Sequence, residues 1–204
     1  MRPVPPESLL DHSSEPIFIA APEIIAWARA TFIDDGASLH NEDHRHLMHA
    51  SLGALWTNVS NARAGRSIVG QCEHGLPPLS SWQRARFEQQ LVGWFGEVPD
   101  FVLTFDARFC AEADDVTFAA LVEHELMHAG QERDQFGAPK FRKSGKPAFA
   151  IRGHDLEGFI GIAARYGAVE PGVKELMAAL SKPPLFSGRD VAIVCGTCEA
   201  RKAA

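Results

Sequence analysis

The stretch Asp114–Arg133 (DDVTFAALVEHELMHAGQER) constrains this chain most, because it sets an H-E-x-x-H motif into a helical run that is apolar nearly all round. Phe118, Ala119, Ala120, Leu121, Val122, Leu126, Met127 and Ala129 surround His124, Glu125 and His128. A helix with so little polar face belongs in an interior. Asp114 and Asp115 stand ahead of the first apolar turn as N-cap candidates. At about 100° per residue, His128 falls about 40° round from His124 and one turn along, with Glu125 about 60° from His128 on the same side. Buried imidazoles and a buried carboxylate need partners, and one metal ion satisfies all three together. Two histidines then serve as ligands, and the glutamate stands beside the open coordination position as a general base toward water, which is how zinc peptidases are built. The expectation is a Zn²⁺ centre with His124 and His128 as metal ligands and Glu125 as the catalytic residue.

A third ligand is sought downstream. Gly153–Tyr166 (GHDLEGFIGIAARY) predicts a helix beginning near His154, and the chain between His128 and His154 is long enough to turn back on the motif. Gly158, Gly161 and Arg165 project within about 40° of His154, so that face permits close approach. His154 is therefore taken as the third metal ligand. Asp155 and Glu157 share its turn and compete for the role, since zinc also accepts carboxylate oxygen; either one, if not a ligand, can instead orient a metal-bound imidazole. Tyr166, the only tyrosine, is set aside, because 12 residues of helix would carry it about 18 Å from His154.

The 204 residues and 46% hydrophobic content suit one domain with a sizeable core. A formal net charge of −6 gives no general attraction to phosphate backbones or anionic lipid, so neither a nucleic acid nor a membrane is expected as a partner. The opening MRPVPPESLLDHSSEP lacks the basic and apolar regions of a signal peptide, and residues 1–16 are expected to form an extended or mobile arm ahead of a single domain, 17–204. Four cysteines in a chain of this size fit a reducing, cytoplasmic setting better than a disulfide framework. Cys195 and Cys198 form a lone C-x-x-C, half of a structural zinc site unless Cys72 or His74 joins it.

Between these landmarks, Ala21–Ile33 predicts an amphipathic helix, and Asn41–Ala64 a second, longer one with Leu47, Leu52, Leu55, Trp56 and Val59 as its buried stripe. The start of that second helix carries His40, His44, His46 and His49, expected as a solvated, charged helix start rather than a second metal site, because the spacing fits no familiar ligand pattern. Ser67–Cys72 predicts a short strand, Trp82–Phe95 a helix, and Phe101–Phe105 a core strand. Gln131–Lys146 is expected as an exposed basic loop, Pro147–Ile151 as a short edge strand, and the segment from Pro171 through Leu180 as a helix.

The run VEHELMHAGQ, the loop DQFGAPKF and the later RGHDLEGFIGIAARYG, with LWTNVSNARAGRSIVGQ upstream, resemble the metallopeptidases of phages and prophage-bearing bacteria over roughly residues 40–168. The chain is more distantly similar to SprT/Spartan-like proteases, in which a His-Gly segment follows the motif helix; Asp155 stands here in place of that glycine. The resemblance implies an α+β, zincin-like fold with a small, mostly antiparallel sheet beside the active-site helix. It implies His124, His128 and His154 as zinc ligands and Glu125 as the catalytic glutamate. A SprT-type zinc ribbon needs two cysteine pairs, and this chain carries one, so DNA-linked proteolysis is not expected. Two function classes follow: a zinc metallopeptidase acting on a peptide or protein substrate, and a non-catalytic, zinc-stabilised binding or regulatory protein on the same scaffold. An intact Glu125 favours the first, since a structural site needs no general base.

Overall fold

A computed structural model describes residues 1–11, 15–63, 66–155 and 171–184. Its centre is a four-stranded mixed sheet in the order β1 (Phe18–Ala20), β2 (Leu52–Thr57), β6 (Phe101–Asp106), β5 (Gly70–His74). The pairs β1/β2 and β6/β5 are antiparallel, while β2 and β6 run parallel in the register Leu52↔Phe101 to Thr57↔Asp106. Strand periodicity sorts the side chains. Ala54, Trp56, Phe101, Leu103, Phe105 and Cys72 enter one core, and Leu55 and Val102 enter a smaller one on the other face.

The larger core lies between the sheet and two helices, α1 (Pro22–Ala28), which runs on as a π-helical turn to Ile33, and α4 (Asp115–His128). Phe118 of α4 meets Trp56 and Trp27 with ring centroids 6.1 and 5.3 Å apart, and Leu121, Val122 and Leu126 are fully buried. Asp114 caps α4, its side chain accepting a hydrogen bond from the Thr117 amide at 2.8 Å. The smaller core is covered by α2 (Ser81–Phe95) through Leu91. Ser80 and Gln83 form a capping box at the start of α2, and Gly96, with φ of 78°, ends it in the left-handed conformation. A short helix, α3 (Ala107–Glu112), joins β6 to α4.

The expected helix over Asn41–Ala64 is absent. A 3-10 helix, Glu42–His49, is followed by β2 and then by the hairpin β3 (Asn61–Arg63) and β4 (Arg66–Ile68). The cause is the position of β2, flanked by β1 and β6 and buried on both faces. A doubly covered strand carries a continuous apolar run that matches a helical stripe as well as it matches a strand. Gly53 adds a specific demand: a Cβ there would lie 2.8 Å from the Phe95 ring. The strand expected over Ser67–Cys72 is split in two, its first part pairing in the hairpin and its second, β5, forming an edge of the main sheet.

The amino-terminal segment, expected as an extended or mobile arm, is folded onto the domain as far as it is described. Leu9, in a 3-10 turn, is fully buried in the larger core. Arg2 donates to the carbonyls of Cys110 and Ala113, pairs with Asp115 at 3.0 Å and lies over the Phe118 ring. The helix Pro171–Leu180 is present as expected. The helix expected beyond His154 and the segment holding Cys195 and Cys198 fall outside the described residues. None of the helices described is long and apolar enough to cross a membrane.

Candidate metal centre

Helix α4 presents its motif beside the edge of the main sheet. Strand β5 begins at Gly70, where a Cβ would lie 2.8 Å from Leu121 Cδ1 and 2.9 Å from Glu125 Oε1, so strand and helix touch because residue 70 has no side chain. Glu125 is fully buried and His128 nearly so, while His124 is half-buried.

The third histidine arrives by a small antiparallel ladder. α4 runs directly into β7 (Ala129–Gln131), which pairs with β8 (Phe149–Ile151) in the register Ala129↔Ile151 to Gln131↔Phe149. One step further, the Arg152 amide donates to the His128 carbonyl at 2.8 Å. The backbone N–H of a residue inside a helix is already committed to the helix. The ring supplies the missing rung: His128 Nδ1 lies 2.7 Å from the Arg152 carbonyl oxygen and must be the donor, since a carbonyl only accepts. That fixes the tautomer of His128 and leaves Nε2 with its lone pair outward. Two residues beyond Arg152, His154 turns back over the helix.

His124 Nε2 lies 3.2 Å from His128 Nε2 and 3.3 Å from His154 Nε2. The ring centroids stand 4.9 to 5.1 Å apart, and one ligand atom from each residue falls within 4.8 Å of the others. Burial, reinforced by the neighbouring His128 and then His154, pushes the His124 imidazole down to about 4, so it is neutral at ordinary pH. Three nitrogen donors converging in this way form a group able to hold a metal ion.

The three histidines named from the sequence thus lie together, His124 and His128 on α4 and His154 just beyond β8, and Glu125 follows His124 on the same helix. Of the competitors for the third position, Asp155 turns toward Arg152, its Oδ1 2.6 Å from Nη2, and Glu157 lies outside the described residues. Cys72 is buried in the larger core, and His74 stacks on Phe101 at 5.7 Å. The histidine-rich segment is not a solvated helix start: His44 is fully buried and His46 half-buried, with His46 Nε2 2.7 Å from the Ala129 carbonyl. Sequence reading did not find Arg152, whose contribution is a backbone carbonyl that any residue type would supply. Nor did it connect Asn41, His44 and His46 to the motif, because a spacing search for ligands passes over residues that hold a helix rather than an ion.

No curated protein and no solved structure matches the chain. A family model matches residues 25–181, more than half of the chain and all three histidines included, under the description "putative phage metallopeptidase". With the motif helix, the returning His154 and this match in agreement, the chain belongs to that phage metallopeptidase family.

Proposed function

We propose that the protein is a zinc-dependent metallopeptidase of zincin-like fold, acting on a peptide or protein substrate, with His124, His128 and His154 as metal ligands and Glu125 as general base. The convergence of three imidazole Nε2 atoms, 3.2 and 3.3 Å from the shared His124, carries the proposal. Nitrogens about 2.0–2.1 Å from a tetrahedral zinc stand about 3.3 Å from one another. His128 gives its Nδ1 N–H to the Arg152 carbonyl, which turns Nε2 toward His124. Three protein ligands with an open fourth position is the pattern of catalytic rather than structural zinc. The antiparallel edge strand β5 beside the motif helix supports the zincin-like assignment, and the cysteine content supports a cytoplasmic setting.

Bound zinc would supply Lewis acidity, lowering the pKa of water and polarising the carbonyl under attack. Glu125 accepts the proton of the attacking water on a carboxylate oxygen and delivers it to the departing amine. Its place against Gly70 and Leu121 leaves the side chain little room to turn away. The Arg152 carbonyl keeps the His128 ring in one tautomer and one orientation throughout.

The test is Glu125→Gln, which keeps the size of the side chain and removes its basicity. Purified protein should contain about one zinc per chain in both forms. Turnover of a mixed peptide library, read by mass spectrometry, should fall by about 10²–10⁴-fold in the variant. Undiminished cleavage by Glu125→Gln defeats the mechanism. Zinc-loaded wild type that cleaves nothing across a broad library moves the reading to a non-catalytic binding or regulatory protein stabilised by zinc.

A further inference from the structure

The 3-10 helix Glu42–His49 and its cap residue Asn41 make three of the contacts that bracket the motif. In the β7/β8 ladder, His128 and Arg152 form the hydrogen-bonded rung, so the next pair, Ala129 and Ile151, is a non-hydrogen-bonded one whose carbonyls point away from each other. The Ala129 carbonyl therefore faces outward from β8, and there His46 Nε2 meets it at 2.7 Å. The carbonyl can only accept, so Nε2 carries the proton. At the other end of the motif, Glu123, immediately before His124, accepts from Asn41 Nδ2 at 2.8 Å and lies 3.8 Å from Nε2 of the fully buried His44. Asn41 also caps the 3-10 helix, its Oδ1 accepting from the Asp43 amide at 3.0 Å. The far end of that helix is anchored in turn: Leu47 is fully buried, and Arg29 of α1's continuation donates to the Ala50 carbonyl at 2.8 Å.

Resting on the metal reading above, we infer that this histidine-rich helix is a clamp that sets the position of the metal-binding turn, with His46 its main positioning residue. The peptide that follows His128 is held from both sides, by the Arg152 rung on one edge and by His46 on the other. A helix terminus without such partners frays, because its last carbonyls have no intrahelical donors. Fraying at Ala129 would move His128 relative to His124 and release the strand that leads to His154. Burial lowers the His46 imidazole from its ordinary value, which keeps the ring neutral with a single proton to give.

His46→Ala and His46→Gln distinguish a clamp from ordinary packing, because the glutamine amide nitrogen can reach the same carbonyl. Zinc affinity by chelator competition, the absorption spectrum of the Co²⁺-loaded protein and amide hydrogen exchange of the zinc-free protein are the three readouts. His46→Ala should weaken zinc binding by about 10–100-fold, the range found when a group supporting a metal ligand is lost. It should also alter the Co²⁺ spectrum and speed exchange over Leu126–Gln131 with little change elsewhere, while His46→Gln restores most of each. Wild-type zinc affinity and slow exchange retained in His46→Ala overturn the clamp. So does exchange that rises evenly over the whole chain and is not rescued by glutamine. If wild type itself binds no zinc, the metal reading falls, and local exchange alone then decides whether His46 fixes the turn.

Discussion

His154 enters the triad from a stretch without regular structure, while its neighbour Asp155 pairs with Arg152. His154→Ala should cost zinc affinity on the scale of a lost ligand, and Asp155→Ala should leave it near wild type; chelator competition on both reverses the assignment if the order is inverted. His124 offers a second check through pH. Its folded value near 4 lies below the ordinary 6.5, so the unfolded chain binds more protons across that interval. The stability contributed by the neutral ring is complete above about pH 6.5 and is lost as pH falls toward 4. Urea midpoints of the zinc-free protein should therefore decline over that window, and His124→Gln should flatten the decline. The three histidines that the fold brings together were legible in the sequence because ligand chemistry restricts residue type. Arg152 and His46 were not, since one acts through its backbone and the other binds a carbonyl on a strand far along the chain.

The elements best read from sequence were those with local punctuation. α2 is bounded by Ser80 and Gly96, and α4 starts at the Asp114 cap, so residue types at the ends stated the limits of each helix. β2 had no such marks, and its buried residues obey a pairing with β6 that depends on residues nearly fifty positions away. The contact between β5 and α4 was equally hidden, because the absence of a side chain at Gly70 has meaning only once Glu125 is beside it. Gly70→Ala should destabilise the protein by about 1–3 kcal/mol, the usual cost of overfilling a packed site. It should also lower activity more than zinc content, since the added methyl presses on Leu121 and Glu125 rather than on a ligand. Denaturant midpoints and metal analysis of the same preparation test both halves.

At the scale of the molecule, the proposed metal site couples metal binding to folding, because the three histidines come from α4 and from beyond β8 and meet only when both are in place. Zinc at 100 times its dissociation constant should stabilise the folded chain by about 2.7 kcal/mol. Chelation should accordingly lower the thermal midpoint by several degrees, and readdition should recover it; a midpoint indifferent to zinc would mean the ion does not bridge these elements. The amino-terminal segment also joins the whole, through Leu9 in the core and Arg2 across α3 and α4, although its prolines and low apolar density gave no sign of docking.

The rung between His128 and Arg152 closes a ring of chain, and everything from Glu132 to Ala148 hangs outside it. Two tight turns, each with a glycine at positive φ (Gly137 at 82°, Gly145 at 80°), fold that excursion back on itself, leaving Phe136, Phe141 and most of its basic side chains exposed. Lengthening such a loop is cheap, about 0.6 kcal/mol for each doubling, and the rung lies between its tips and the three histidines. Insertions at those tips should therefore leave the meeting of the three histidines intact.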